Sequence, residues 1–378
     1  MYEKILIRYG ELTLKGKNRD SFITQLARNI KVITGEYPEI KYDRMFLSYS
    51  EYNVKKLKYV FGITSYSPVI FCENNIEKIT NNAIKLVDKE NKTFKISARR
   101  NNKKFDFTSA EINQKVGEAV LKYCPWVKVD VHNPDCNVNI EVRSDKTYLF
   151  SKNYSALGGL PVGISGSTLH LMSGGIDSPV AAFELMKRGL RVHFISFVSP
   201  PQTDEKTINK IKSLVSVLSK YQGKSNLYLA NYSKLMNYIS FTSNEAYKIN
   251  LMRRSFYRIA SKFAKKQNII VLSNGENLGQ VASQTIESLS TIANASDLLI
   301  LRPILANDKI ETINIAKHIG TYDISIEKAK ETCELFAPKS PVTKPNLSTS
   351  IRLEDELSNL NNLEQELLES SIEHLVIE

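Results

Sequence analysis

From residue 168 onward the sequence alternates between short apolar runs and longer segments with helical periodicity. The apolar runs are predicted strands and cover residues 168–172, 192–198, 226–232, 269–273 and 298–303. Helical patterns fill the intervals, and the longest lies at roughly residues 244–266. Repeated strand–helix units bury their apolar faces as a parallel sheet that carries helices on both sides. The second half of the chain is therefore predicted to be an α/β domain with a parallel sheet.

The first of these predicted strands leads into a loop with the sequence Ser-Gly-Gly-Ile-Asp-Ser at residues 173–178. Two adjacent glycines let a backbone approach an anion closely, and the free N–H groups at the start of the following helix attract one. We expect the hydroxyls of Ser173 and Ser178 to donate to such an anion, and Asp177 to hold Mg²⁺ against it. A glycine-containing turn without function is the alternative. The full string is more specific than that, and it is neither a Walker A loop nor a Rossmann fingerprint.

The first 156 residues mix strand and helix patterns without strict alternation, which is typical of α+β domains. Thr108 and Glu111 form a capping-box signature in front of a helical pattern. Residues 157–167 are rich in glycine and predict a linker. Residues 346–378 are acidic with leucines at helical spacing. We expect this tail to be a helix packed on the body of the protein, with a partner-binding helix as the alternative.

The net charge of +11 is distributed unevenly along the chain. Residues 1–155 and 156–345 each carry +9, whereas residues 346–378 carry −7. A basic body favours a polyanionic partner, although charge by itself is a mild indication. No apolar run reaches roughly 18 residues and no signal-peptide core is present, so we expect no membrane segment. The four cysteines form no close pair, which favours a reduced, cytoplasmic protein.

The loop at residues 173–178 resembles the PP-loop of the ATP pyrophosphatases, which cleave ATP between its α- and β-phosphates and adenylate a substrate. Further segments resemble, in the same order, the motifs of tRNA 4-thiouridine synthetases, the ThiI family of tRNA sulfurtransferases: residues 7–19, 199–201, 252–254, 275–285, 302–303 and 320–325. The resemblance implies an α+β N-terminal half with a ferredoxin-like domain at residues 1–52 and a THUMP RNA-binding domain at 53–156. After the linker at 157–167 it implies a PP-loop ATP pyrophosphatase domain at 168–345, followed by the acidic tail at 346–378.

The resemblance also implies which residues bind ATP, together with Mg²⁺. Ser196 and Phe197 should border the adenosine, and Arg253 should meet phosphate. Many relatives carry histidine where this chain has Ser196, which matters little if backbone atoms make the contact. The expected ATP-binding residues are Leu171, Met172, Ser173, Gly174, Gly175, Asp177, Ser178, Ser196, Phe197, Arg253, Gly275 and Gln284. The histidines show no ligand spacing, so we expect no metal site built from protein side chains alone.

Cys333 is the only cysteine after residue 136, and an isolated cysteine is more often a small buried apolar residue than a reactive one. Its position resembles that of the sulfur-handling cysteine of the family. The resemblance therefore implies that Cys333 is a catalytic residue, in addition to Asp177. Longer relatives end in a rhodanese domain, which we expect this short form to lack. Sulfur would then come from another protein, a cysteine desulfurase. The sequence leaves open whether Cys333 carries a persulfide or resolves a disulfide, and a single cysteine in the catalytic domain argues against an intrachain iron–sulfur cluster.

A cluster of cations between a predicted strand and the Thr108 capping box is the main candidate for contact with tRNA. Phe105 and Phe107 alternate with these cations, and unpaired bases can stack on aromatic rings. The alternative is a solvated loop with both phenylalanines turned to the core. The expected tRNA-binding residues are Arg99, Arg100, Lys103 and Lys104, with Lys15 and Lys17 as weaker candidates.

The sequence therefore predicts ATP-dependent sulfur transfer to a tRNA uridine, at position eight, that gives 4-thiouridine. Adenylation converts the C4 oxygen, a poor leaving group, into AMP before sulfur attacks C4. The resemblance implies a second role in sulfur transfer for the thiazole of thiamine, and it leaves open a sulfur-carrier protein and a homodimer as further partners. One alternative is a PP-loop enzyme that uses ammonia, which would not need the basic N-terminal half or Cys333. Another is an RNA-binding module with a decayed catalytic domain, which would not need the intact loop.

Overall fold

The computed structural model describes residues 2–10, 12, 16, 18–329 and 336–378. The chain divides into two compact units, Met1–Gly159 and Leu160–Glu378, and each has its own sheet. Among the described residues, no helix combines the length and the apolar character that crossing a bilayer requires.

The first unit is a mixed sheet with helices, as the α+β pattern predicts. Its strands are β1 (Lys4–Arg8), β2 (Glu39–Ile40), β3 (Met45–Ser48), β4 (Ser65–Cys72), β5 (Thr93–Arg100), β6 (Lys128–Val129), β7 (Cys136–Val142), β8 (Thr147–Phe150) and β9 (Tyr154–Ser155). Its helices are α1 (Arg19–Thr34), α2 (Glu51–Leu57), α3 (Ile76–Ile84) and α4 (Ser109–Tyr123). The strand order is β2-β3-β1-β4-β8-β7-β5-β6, and β9 pairs with β4.

Local signals explain where several of these elements begin and end. Gly35, with φ of 86°, ends α1 in the left-handed conformation that glycine adopts without strain. The capping box in front of α4 is confirmed, because the Thr108 hydroxyl accepts from the N–H of Glu111 and the Glu111 carboxylate accepts from the N–H of Thr108. β4 pairs with β1 along its first half and with β8 along its second half. The sequence pattern does not reveal this pairing. Through it, two segments that the sequence assigns to separate domains share one sheet.

The second unit contains the predicted parallel sheet. Its strands are β10 (Ser167–Leu171), β11 (Arg191–Val198), β12 (Ser225–Asn231), β13 (Val271–Ser273), β14 (Leu299–Leu301) and β15 (Ile372–Ile377). Its helices are α5 (Asp177–Lys187), α6 (Glu205–Gln222), α7 (Ser233–Ile239), α8 (Lys248–Lys266), α9 (Ile286–Ala293), α10 (Lys309–Ile319), α11 (Tyr322–Ser325), α12 (Leu347–Glu356) and α13 (Leu360–Ser370). The order is β14-β13-β10-β11-β12-β15, and β10 to β14 are parallel. The first five strands lie within two residues of their predicted bounds.

The acidic tail is helical only as far as Ser370. Beyond it, β15 pairs antiparallel with β12 and so covers an edge of the sheet whose N–H and C=O groups would otherwise lack partners. The expected packing of the tail on the body is confirmed, because Leu353 and Leu367 lie in the core of this unit. The fully buried carboxylate of Glu364 also pairs with Arg258 of α8 at 2.7 Å. Removing one partner of a buried ion pair is costly, so this contact fixes the tail against α8.

The strand order determines where a ligand can bind. From β10 the chain proceeds through β11 to β12 and then returns to the other side of β10 to form β13. The connections on the two sides of β10 leave a crevice at the carboxyl ends of β10 and β13, which is where open α/β sheets bind ligands. The loop at residues 173–178 leaves β10 at this point.

Candidate functional site

A cavity of about 310 Å³ opens at the carboxyl ends of β10, β11 and β13. All twelve residues that the family resemblance assigns to ATP line it: Leu171, Met172, Ser173, Gly174, Gly175, Asp177, Ser178, Ser196, Phe197, Arg253, Gly275 and Gln284. These residues come from segments that are far apart in the sequence. The fold brings them together because the strand ends and the start of α8 converge on the crevice.

Ser178, in the first turn of α5, uses its hydroxyl inside the protein. The Ser178 Oγ lies 3.2 Å from the carbonyl oxygen of Leu171 and accepts from the N–H of Ser173, also at 3.2 Å. The residue is only 3% exposed. The hydroxyl is thus engaged inside the protein, and the expectation that it donates to a bound anion stays a prediction. It ties the end of β10 to the start of α5 and so holds the loop in its conformation.

His170 holds the same loop through hydrogen bonds inside the protein. The sequence analysis did not single this residue out. Its Nε2 lies 3.0 Å from the carbonyl oxygen of Ser178, and its Nδ1 lies 3.0 Å from the hydroxyl of Ser273 on the neighbouring strand. Because a carbonyl oxygen only accepts, Nε2 carries the proton and Nδ1 accepts from Ser273. The Thr168 hydroxyl lies 2.9 Å from the Ser273 oxygen and extends the chain of hydrogen bonds. This chain links β10, β13 and α5 beneath the cavity.

Burial makes the second unit sensitive to acid through His170. Burial lowers the pKa of His170 to about 4, against a smaller opposing effect of its hydrogen bond to Ser178. The unfolded chain binds this proton below about pH 6.5, so the folded state loses stability as the pH falls from there towards 4. The expected loss is up to about 3 kcal/mol, since one pKa unit corresponds to roughly 1.4 kcal/mol.

Denaturant unfolding of the second unit between pH 7.5 and 4.5 measures this loss. The matched variant is His170→Gln, which removes the titrating ring but not the other acidic groups that titrate in the same range. The variant should be less stable at pH 7.5 and should show a shallower pH dependence than the wild type. Equal slopes in the two proteins would contradict the assignment of the acid sensitivity to His170.

Gly275 follows β13 and lies directly against the loop. A Cβ atom at this position would lie 2.6 Å from the backbone nitrogen of Ser178 and 2.7 Å from the carbonyl carbon of Asp177. Real Cβ atoms do not approach backbone atoms this closely. Glycine is therefore required here because two backbones pack together at the start of α5.

Asp177, the first residue of α5, is held from two sides. Its carboxylate oxygens lie 2.8 and 3.0 Å from Nζ of Lys309, and Oδ2 accepts from the Gln280 amide at 2.8 Å. Lys309 is the first residue of α10, and the N-cap Asp308 fixes the start of that helix by a capping box. The pair places a cation and a carboxylate side by side at the polar end of the crevice.

A buried carboxylate positions the arginine of the cavity wall. Glu276 is 3% exposed and accepts from Arg253, from Arg302 and from the Tyr257 hydroxyl at 3.1 Å. Burial alone would raise the pKa of Glu276, but Arg253 and Arg302 together hold the pKa below its ordinary value. The carboxylate therefore stays charged and fixes Arg253, whose Nη1 also donates to the carbonyl oxygen of Ser283 at 3.1 Å.

The opposite part of the cavity is apolar and aromatic. The rings of Phe197 and Phe256 stack with their centroids 4.1 Å apart and an interplanar angle of 7°. Tyr232 packs edge-on against both rings. Further apolar residues of the lining are Leu171, Ile195, Ile211 and Ile249. A cavity with one apolar end and one end rich in N–H groups and cations suits a ligand that carries a planar ring and several phosphates.

Comparison with known proteins identifies the family. The sequence matches the profile of the thiamine biosynthesis protein ThiI over residues 163–359, and those of the ThiI ferredoxin-like domain and the THUMP domain over residues 4–67 and 73–152. A Mycoplasmopsis agalactiae protein named probable tRNA sulfurtransferase is 84% identical over 378 residues, all of both chains. The chain belongs to the ThiI family of tRNA sulfurtransferases. Its Mycoplasmopsis synoviae relative of the same name is 55% identical over 377 residues, again with full coverage of both.

A solved structure agrees with the placement in the ThiI family. It is a 4-thiouridine synthetase in complex with RNA and with bound ATP, it is 35% identical, and it covers 100% of both chains with a TM-score of 0.95. The predicted fold class, a ferredoxin-like and THUMP half followed by a PP-loop domain, is thereby confirmed. The enzyme class predicted from the motifs is confirmed as well.

The first unit of this ThiI-family chain presents the predicted cations but not the predicted aromatic platform. Arg99, Lys103 and Lys104 are exposed, whereas Arg100 is half-buried and donates to the carbonyl oxygen of Phe105 at 3.2 Å. Phe105 is 9% exposed, and Phe107 packs against the same core with a ring-centroid distance of 5.9 Å from it. The structure therefore favours the alternative in which the loop is solvated and both phenylalanines turn towards the core, with Phe105 buried and Phe107 half-buried.

Three predicted site residues, Cys333, Lys15 and Lys17, lie outside the described residues. Conversely, the structure adds His170, Glu276 and Lys309 to the site. Glu276 lies within the motif at residues 275–285 and could have been noticed as a carboxylate in an otherwise neutral, glycine-containing segment. His170 and Lys309 carry no such signal, since Lys309 reaches Asp177 across 132 residues of sequence.

Proposed function

We propose that this chain converts uridine at position eight of tRNA into 4-thiouridine, at the expense of ATP and through an adenylated uridine. The observation that carries the proposal is the convergence of all twelve expected ATP-binding residues on one cavity beside the loop at residues 173–178. The names of the relatives and the ATP-bound and RNA-bound structural neighbour support it. Sulfur transfer towards the thiazole of thiamine, by way of a sulfur-carrier protein, is proposed as a second role on the family name alone.

The chemistry of the cavity supports one orientation of ATP. We propose that the base lies against Phe197 and Phe256, while the phosphates lie over the loop and the start of α5. Arg253 would face the α-phosphate region, where charge develops as the uridine O4 attacks phosphorus and pyrophosphate leaves. Glu276 contributes by holding Arg253 in place, since a fixed donor stabilises developing charge without reorganisation.

The residues at the polar end fit a magnesium ion that is held mainly by phosphates. In proteins Mg²⁺ usually takes one or two carboxylates and fills its remaining positions with phosphate oxygens and water. Asp177 can supply such a carboxylate, and among the described residues no group of three or more His, Cys, Asp or Glu side chains is arranged to hold a metal. When bound, the ion would neutralise charge on the phosphates. Lys309 shares the carboxylate and would face the same phosphates.

The second half-reaction needs a sulfur nucleophile that attacks C4 and displaces AMP, which leaves with the former O4. We propose a persulfide from a cysteine desulfurase as the source and Cys333 as the thiol that handles it. The other cysteines are poorly suited to this role: burial raises the pKa of Cys72 and Cys136 to about 11, and also raises the pKa of Cys124. A buried thiol with a raised pKa is a weak nucleophile. If the persulfide is on Cys333, its S–S bond must afterwards be cleaved by a second thiol or a reductant.

We propose that the first unit holds the tRNA through Arg99, Arg100, Lys103 and Lys104, with Lys15 and Lys17 as further cations. The exposure of Arg99, Lys103 and Lys104 supports contact with phosphates, which carry most of the affinity for nucleic acids and make it dependent on salt. With Phe105 in the core and Phe107 packed against it, we expect these cations to position the RNA rather than read its bases.

Mass analysis of tRNA nucleosides after reaction tests the proposal. The full chain is incubated with unmodified tRNA, ATP, cysteine and a cysteine desulfurase, and 4-thiouridine should form on wild-type tRNA but not on tRNA with cytidine at position eight. Cys333→Ser should form no product under these conditions, because a hydroxyl cannot carry persulfide sulfur. Excess free sulfide should restore part of the product, since sulfide attacks the adenylated base directly.

The matched control is Cys72→Ser, which should leave the reaction unchanged. If the wild-type chain forms no 4-thiouridine, the proposed function fails. If Cys333→Ser keeps full activity with the desulfurase, only the role of Cys333 fails, and the persulfide must then reach the uridine directly from the donor protein.

A further inference from the structure

Helix α6 separates two cavities of the second unit. On one side, Thr207 and Ile211 line the cavity described above. On the other side, a second cavity of about 250 Å³ is lined by Lys206, Asn209, Lys210, Ser213, Glu327, Lys328 and Ala329. The four α6 residues among them are spaced as one helical face. Because a helix with its side chains is roughly 10–12 Å across, the two cavities are close neighbours.

We call this second cavity the lysine cavity, because three of the residues that line it are lysines: Lys206, Lys210 and Lys328. Lys210 is 93% buried, with 7% of its surface exposed, and its Nζ donates to the backbone carbonyl oxygen of Glu327 at 2.8 Å. Lys206 and Lys328 are exposed at its rim. In the part of the chain that the structure describes, none of the three lysines forms an ion pair with a carboxylate, although the exposed Glu327 side chain is nearby.

A buried ammonium group is costly unless an anion compensates it. A neutral carbonyl oxygen satisfies one of the three donors of Lys210 but leaves its charge uncompensated. The arrangement therefore provides an enclosed cation, two flexible cations around it and an open volume large enough for an oxyanion. This combination is suited to a phosphate group, which takes several donors from different directions.

We propose that the lysine cavity is a subsite for phosphates of the RNA backbone that flank the uridine to be modified. The proposal rests on the proposed function, which brings a polyanion to the neighbouring cavity. Because α6 is roughly 10–12 Å across, phosphates a few nucleotides away from a uridine in the ATP cavity can reach the other side of this helix. The lysine cavity is a concave basic surface at this distance, and it would set the register of the strand rather than read its sequence.

Titration of tRNA binding against salt tests the subsite in the full chain. The variant Lys206→Ala/Lys328→Ala changes only exposed side chains, so it should fold normally. We expect it to raise the Kd for tRNA about tenfold at 150 mM salt and to reduce the slope of log K against log salt by about 1 to 2, because each lost phosphate contact contributes about 0.9. The affinity for ATP in the absence of tRNA should not change. Lys210→Met should weaken tRNA binding further, with its folding checked by thermal unfolding.

The matched control is Lys220→Ala/Lys266→Ala, which removes the same charge from exposed lysines of α6 and α8 and should alter Kd less than twofold. Inorganic pyrophosphate, titrated by calorimetry, is the second probe. If the Lys206/Lys328 variant loses pyrophosphate affinity but binds tRNA with unchanged Kd and slope, the cavity binds free phosphates and the proposal is overturned. If the variant and the control behave alike, the proposal is overturned too. Failure of the wild-type chain to bind tRNA would instead refute the proposed function.

Discussion

Replacing Gly275 with alanine is expected to lower ATP cleavage at least a hundredfold. The added Cβ would lie 2.6 to 2.7 Å from backbone atoms of Asp177 and Ser178, so either β13 or the start of α5 has to move. Displacement of a reacting geometry by about 1 Å can reduce the rate on the order of a hundredfold. Release of AMP and pyrophosphate in the presence of tRNA measures the effect, and ATP binding should weaken in parallel.

Gly117→Ala is the matched control, because it makes the same chemical change where no atom lies within 4 Å of the added Cβ. Gly117 lies inside α4, so this variant should be as active as the wild type and more stable by up to about 1 kcal/mol. Circular dichroism separates a local shift from loss of the fold in Gly275→Ala. Normal ATP cleavage by a folded Gly275→Ala protein would mean that the loop tolerates displacement and does not bind the phosphates.

Asp177→Asn is expected to reduce ATP cleavage about a thousandfold while the Kd for tRNA stays within a few fold. Asparagine preserves the shape of the side chain but removes the charge that faces Lys309 and that we assign to Mg²⁺. The contacts with tRNA that we propose lie elsewhere, on the first unit and on the lysine cavity. Single-turnover measurement of AMP formation, beside a filter-binding assay with tRNA, separates the two effects.

Asp323→Asn is the control for the loss of one negative charge, since Asp323 is exposed on α11. The double variant Asp177→Asn/Lys309→Met tests the pair itself. If Lys309 serves only to hold Asp177, the double variant should be no worse than Asp177→Asn, because the second substitution removes an interaction that is already lost. Near-normal pyrophosphate release by Asp177→Asn would contradict the assignment of the loop as the phosphate site.

Short-range patterns predicted the elements of this protein well. The strands β10 to β14 and the capping box before α4 each depend on residues that are near one another in sequence. The course of the tail was harder to predict. Its leucine spacing predicts helix, and whether Ile372–Ile377 becomes a strand depends on the free edge of β12, more than 140 residues away.

The sequence by itself predicted an anion-binding loop at residues 173–178 that follows a strand of a parallel sheet. The string at residues 173–178 was readable from the residues alone, whereas the full set of twelve expected ATP-binding residues came from the resemblance to a known family. The fold gathers all twelve around one cavity. Such motifs are readable because the loop, the helix start and the strand end that bind phosphate are continuous in the chain. The resemblance to a known family gave the same residues a proposed role.

Only the tertiary structure decided how these residues are held. The Ser178 hydroxyl points into the protein, where Nε2 of His170, the N–H of Ser173 and the carbonyl oxygen of Leu171 surround it. His170, Glu276 and Lys309 act through contacts between strands or helices that are remote in sequence. Burial, which no local pattern encodes, sets the pKa of His170, and the two arginines that the fold places beside the buried Glu276 keep it charged. Side-chain direction and burial are properties of packing, so they become known only once all the elements are in place.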